Sequence, residues 1–123
     1  MKILVLGDVH GKFTRFGTVV VKAVDYGIDA VIQVGDFGFW HQYMNGVHFN
    51  FPIPVYAIDG NHENHKWLYK QDHDKWAEGD FHFMKRGSVM NFGSSTIGFV
   101  GGAMHCDRPQ EGSIAVSYTH LRA

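Results

Sequence analysis

Ile3-Leu4-Val5-Leu6-Gly7-Asp8-Val9-His10-Gly11 is a short apolar run, a glycine, and then two residues able to ligate a metal, two positions apart. An apolar run stopped by glycine fits a strand buried on both faces, as in parallel sheets. Directly after it, Phe13, Phe16, Val19, Val20, Ala23 and Val24 recur at helical spacing, with Lys12, Arg15, Lys22 and Asp25 on the other side. Gly27 suits the C′ position that closes such a helix. Ala30-Val31-Ile32-Gln33-Val34 reads as a second buried strand and Val55-Tyr56-Ala57-Ile58 as a third, with room for a short helix in Trp40–Asn50. The order strand, helix, strand, short helix, strand predicts an α/β domain built on a parallel sheet. Further on, residues 65–77 read as one or two short helices. Phe81-His82-Phe83-Met84, Ser88-Val89-Met90-Asn91 and Thr96-Ile97-Gly98-Phe99-Val100 read as short strands between glycine turns.

Each of the first three strands runs into a polar cluster: Gly7-Asp8-Val9-His10-Gly11, then Gly35-Asp36, then Asp59-Gly60-Asn61-His62-Glu63. Open α/β sheets bind ligands beyond the carboxyl ends of their strands, so the three clusters converge on one place. Asp8 and His10 can point the same way from an extended segment and clamp one ion. Asp36 can bridge two ions through its two oxygens, and Asn61 offers a neutral carbonyl oxygen. Singly, Asp8 reads as a loop residue and Asp36 as a turn residue; together the three clusters require three coincidences.

Asp-x-His, then Gly-Asp, then Gly-Asn-His-Glu is the ordered signature that this chain shares with the calcineurin-like metallophosphoesterases, which it resembles from Met1 to about Gly102. Val34-Gly35-Asp36-Phe37-Gly38-Phe39-Trp40 and Val100-Gly101-Gly102-Ala103 are similar to a small bacterial and phage branch of that family. The resemblance implies the N-terminal part of an αββα four-layer fold, an α+β sandwich whose sheets pack between helices. It implies hydrolysis of phosphomonoesters or phosphodiesters by two divalent ions, of manganese, iron or zinc. Asp8 and His10 would bind the first ion, Asp36 would bridge both, and Asn61 would bind the second. The catalytic His62 would stand beside them without binding, to stabilise developing charge or give a proton to the leaving oxygen. Asp59 or Glu63 would orient the His62 ring; the sequence does not choose between them. A non-catalytic scaffold of this fold that binds a protein partner, or a nuclease of the superfamily, are the alternatives. A protein serine/threonine phosphatase fits less well, because Asp36 is followed by Phe37-Gly38-Phe39-Trp40 where those enzymes place a phosphate-gripping arginine.

The family pattern continues with a single histidine and a Gly-His-x-His, and this sequence contains neither a Gly-His pair nor a His-x-His. His120 follows Val100 too closely, with Pro109 between, for the helix of a parallel crossover. Val116–Ala123 resembles a translated transposase sequencing adapter, so residues 1–115 are expected to be a C-terminally truncated domain and 116–123 a non-native tail. A truncated site would be weak or inactive. Arg108 is a candidate for holding substrate phosphate bidentately.

Of 123 residues, 45% are hydrophobic and 15% aromatic, which excludes a disordered tail and fits one packed domain. A net charge of −1 leaves no global footprint for nucleic acid or an anionic membrane, and directs attention to a small phosphoester. No apolar run reaches membrane-spanning length, and Met1–Gly7 lacks the cleavage site of a signal peptide. The lone Cys106 allows no internal disulfide and reads as inert, and a reducing cytoplasmic setting is the simplest expectation. His41, His48, His65, His73 and His82 read as surface or aromatic-packing residues. Phe37, Phe39, Trp40 and Tyr43 read as core or pocket wall.

Overall fold

A computed structural model describes residues 1–102. The elements run β1 (Ile3–Leu6), α1 (Phe13–Asp25), β2 (Ala30–Gln33), α2 (His41–Met44), β3 (Val55–Ala57), α3 (His65–Tyr69), α4 (His73–Ala77), β4 (Phe81–Phe83), β5 (Val89–Phe92) and β6 (Ser95–Gly98). β1 to β4 pair in sequence order as a parallel sheet, and β5 and β6 form a separate antiparallel pair. The mixed α/β class and parallel sheet match the reading from sequence. The segment 65–77 resolves into two helices. Of the last three strand segments, the first joins the parallel sheet and the other two make the hairpin. None of the described helices is long and apolar enough to cross a membrane.

The short apolar strands are buried on alternating faces. On one face Val31, Val55, Ala57, Phe81 and Phe83 meet Phe16 and Val20 of α1, Leu68 of α3, and Phe37 and Phe39 from the loop after β2. On the other, Ala30 and Ile32 meet Phe92 and Phe99 from the hairpin and its exit. β2 is therefore covered on both sides, and all four of its residues are buried. β1 is not. It stands at the sheet edge and Val5 is 58% exposed, which corrects the expectation of a fully buried first strand. An edge strand can keep an apolar sequence with one face open, so composition alone did not separate the two cases. α1 shows a similar difference. Phe16, Val20 and Ala23 face the core, but Val19 and Val24 lie outside it. Gly27 has φ +72 just past the helix end, the left-handed geometry that glycine adopts without a Cβ clash.

Phe37 sits at the centre of an aromatic cluster, with ring centroids 4.8 Å from Phe13, 5.3 Å from Phe16, and 5.0 Å from both Phe39 and Phe81. Phe37 and Phe39 are core, as expected; Trp40 is half-buried and Tyr43 is exposed. Because Phe37 also belongs to the loop that leaves β2, packing of the core fixes that loop. Phe37→Ala removes a fully buried ring and is expected to cost about 3–5 kcal/mol, read as a lower urea midpoint with an unchanged slope.

Candidate metal centre

The parallel register places Leu6, Gln33 and Ala57 level with one another, so the loops after β1, β2 and β3 leave the sheet side by side. The first two continue the ladder beyond the strands: Asp8 N–H donates to Gly35 O at 3.1 Å, His10 N–H to Asp36 O at 2.8 Å and Gly11 N–H to Phe37 O at 2.9 Å. Gly38 presses against this join, where an added Cβ would lie 2.5 Å from the Gly11 nitrogen.

Among the described residues, the non-glycine residues with positive φ are Asp8 (55), His10 (48), Asp36 (52) and Asp80 (62). Three of the four are the candidate ligands of the first two motifs. Left-handed backbone is uncommon outside glycine and concentrates at functional sites. It also corrects the expectation that Asp8 and His10 project from an extended segment: two left-handed residues flank Val9, whose side chain is buried. The outcome is convergence. One ligating atom each from Asp8, His10 and Asp36 lies within 4.8 Å of the others, and His10 Nε2 is 3.3 Å from Asp8 Oδ1. The Asp36 carboxylate is the sheltered member, with its side chain 14% exposed against 79% for Asp8.

Asn61 lines the same depression of about 210 Å³ as Asp8 and Asp36, together with Gly35 and Gly60. A Cβ on Gly60 would strike the Asp36 carboxylate and amide, so nothing larger fits between the second and third motifs. His62 stands against Asp36: its N–H donates to Asp36 Oδ1 at 3.0 Å and its Nδ1 is 3.1 Å from Oδ2. The His62 and His10 rings meet edge to face at 5.9 Å. Burial pushes the Asp36 carboxyl up, but the His62 amide and ring and the charges of His62 and His10 outweigh it, holding Asp36 below its ordinary 3.8. Two carboxylates and an imidazole, with one carboxylate kept ionised, suit a divalent cation.

Asp59 and Glu63 have other partners than the His62 ring. Glu63 is fully buried and accepts from four amides: Phe37 at 3.1 Å, Gly38 at 3.0 Å, Phe39 at 3.1 Å and Gly60 at 3.3 Å. Burial pushes its carboxyl up, and these amides pull it part of the way back. Asp59 is 1% exposed and carries an ion pair that the sequence reading missed. Arg86 reaches its Oδ2 with Nη2 at 2.6 Å and Nε at 3.1 Å, and His65 Nε2 lies 3.3 Å from the same oxygen. His65 Nε2 is also 2.9 Å from Gly60 O. His65 is therefore a buried support beneath the third motif, correcting its assignment to surface or aromatic packing. His73 and His82 do pack on rings, against Phe83 at 4.8 Å and Tyr56 at 5.0 Å. Arg108, Cys106 and His120, and the boundary at residues 115 and 116, lie outside the described residues.

Burial raises the Asp59 carboxyl, and His65 and Arg86 more than reverse this, so its folded-state pKa lies below 3.8. Its contribution to stability is complete above about that pH and is lost as pH falls through the lower folded value. Arg86→Met leaves a buried carboxylate without its guanidinium and is expected to cost about 3–5 kcal/mol at pH 7 by urea unfolding. Below pH 4 the variant gains a proton on Asp59 that the wild type resists, so the gap narrows; a gap independent of pH contradicts this account.

No curated protein and no solved structure matches the chain. The family model described as calcineurin-like phosphoesterase matches residues 1–115, spanning all three loops that bring Asp8, His10, Asp36 and Asn61 together, and the chain belongs to that family.

Proposed function

We propose that this chain is a phosphoester hydrolase working with two divalent cations, one held by Asp8, His10 and Asp36 and the other by Asp36 and Asn61. The family acts on phosphoesters and typically binds divalent metals. The observation that carries the reading is the meeting of Asp8, His10 and Asp36 within 4.8 Å at the carboxyl end of a parallel sheet.

Bound cations would neutralise the phosphate oxygens and lower the pKa of water near the ester. The protein residues do the rest. Asp36, held below its ordinary pKa, stays ionised at neutral pH and keeps its oxygens available for coordination. His62 serves as the acid. Its ring stands beside the Asp36 carboxylate, from where Nε2–H would give its proton to the leaving oxygen and leave a neutral imidazole. The small open depression admits a compact phosphoester, and a net charge of −1 offers no positive track for a long nucleic acid. Manganese, iron and zinc all suit this donor set.

The test is hydrolysis of bis-p-nitrophenyl phosphate and p-nitrophenyl phosphate with added manganese, by the 123-residue chain, expected to be weak or inactive, and by a chain that also carries the family's single histidine and Gly-His-x-His. Turnover should require metal and fall at least ~100-fold in Asp36→Asn, since several kcal/mol of charge stabilisation are removed. A folded, manganese-binding chain that also carries those histidine motifs yet turns over neither ester overturns the reading and favours a non-catalytic scaffold. Weak or no turnover by the 123-residue chain alone is the expected outcome.

A further inference from the structure

His62 is held at three of its atoms. Its amide and its Nδ1 both engage the Asp36 carboxylate, while its carbonyl accepts from the Trp40 indole Nε1–H at 2.7 Å. The first two bonds use the same carboxylate oxygens that a coordinated cation would occupy. The third does not compete with a cation, because an indole N–H donates only and binds no metal.

The Trp40 backbone is anchored for this purpose. It is extended (φ −129, ψ 140) immediately before α2. Its N–H donates to Gly38 O at 2.7 Å, and its carbonyl accepts from Tyr43 at 3.0 Å and Met44 at 2.9 Å. Tyr43, on the same turn, lies against Gly11, where an added Cβ would sit 2.9 Å from the Tyr43 ring. A single helical turn thus touches both the loop of His10 and the loop of His62.

Aromatic stacking does not explain the choice of tryptophan here. Trp76 stacks on Phe39 at 5.8 Å and meets Phe81 at 5.9 Å, and Trp67 contacts Trp76 at 6.4 Å. Trp40 makes no ring contact among the described residues, and its indole hydrogen bond is its specific side-chain interaction. A phenylalanine would fill similar space without the donor.

We infer that Trp40 is a positioning residue for His62, its indole N–H holding the His62 carbonyl so that the ring keeps its place when a cation takes the Asp36 oxygens. The consequence for rate rests on the role of His62 given above; the positioning itself does not.

The experiment compares wild type, Trp40→Phe and, as a control in the aromatic core, Trp67→Phe, all as the 123-residue chain. Histidine ring 1H–13C spectra are recorded with and without zinc, alongside zinc affinity and kcat and KM on bis-p-nitrophenyl phosphate. Trp40→Phe should move the His62 ring signals most in the zinc-loaded state and lower kcat about tenfold, the scale of a small misplacement. KM, zinc affinity and the His73 ring signals should stay near wild type. Trp67→Phe should leave the His62 signals in place. Unmoved His62 signals in Trp40→Phe, or His62 and His73 signals shifting together in both variants, overturn the inference. If the 123-residue wild type hydrolyses no ester, as the missing histidine motifs lead one to expect, the ring spectra alone decide the role of Trp40. If Trp40→Phe does not fold, hydrogen exchange at the wild-type Trp40 indole with zinc bound decides: protection relative to a free indole supports the inference, and free exchange overturns it.

Discussion

Four backbone amides pointing at one buried carboxylate hold this site together. Phe37, Gly38 and Phe39 come from the loop after β2 and Gly60 from the loop after β3, and all four donate to Glu63. Neither loop has regular structure to satisfy those donors, and a buried amide left without a partner costs about 1–3 kcal/mol. Glu63 satisfies them together and thereby sets the distance between Asp36 and Asn61. Backbone bonds perform the same task between the first two loops, with Asn64 N–H to Phe39 O adding a further link across the second join. The three motifs behave as one unit because each loop is hydrogen-bonded to the next.

That unit carries strain where the donors meet. Asp8, His10 and Asp36 are left-handed, at a cost on the order of 1–3 kcal/mol each that surrounding structure must offset. The offset lies close by. Val9, between two of them, is buried in the same cluster as Phe16 and Phe37, so core packing draws the strained loop inward. Close backbone contacts complete the constraint, with Gly38 against Gly11 and Gly60 against Asp36. Sheet, aromatic core and ligand geometry are parts of one structural solution.

Much of this was legible from residues because it is local. Short apolar runs leading into polar clusters located β1, β2 and β3, and helical spacing located α1. Ligand-type residues at strand ends pointed to the place where they now converge. What was not legible depends on tertiary pairing. Arg86 finds Asp59 across 27 positions, and no local pattern in the sequence marks that partnership. His65 looked like one of several scattered histidines, yet its place just past Asn61-His62-Glu63-Asn64 tucks it beneath Gly60. Val5 and Val19 are apolar yet exposed, because apolar character reports what a side chain prefers, not whether a neighbour covers it. The left-handed ligands were missed for a different reason: Asp and His give no sign of positive φ unless the packing that enforces it is known.

Asp59 and Glu63 bracket the Gly60–His62 segment, and they are stabilised in opposite ways. Asp59 is neutralised by a guanidinium and an imidazole, and its pKa goes down. Glu63 is surrounded by neutral dipoles, and its pKa goes up. Both anchors belong to the chain and neither uses a candidate ligand. The segment that carries Asn61 is therefore held by the chain's own groups, the preorganisation that the proposed cation site would need. The contacts between Asp36 and His62 differ in kind, since the oxygens that hold His62 are those a cation would claim. Coordination would exchange those bonds rather than add to them. The centre thus divides into a scaffold fixed by buried charge and a hydrogen-bonded pair free to rearrange, and His62, the residue assigned the proton, stands on the boundary between the two.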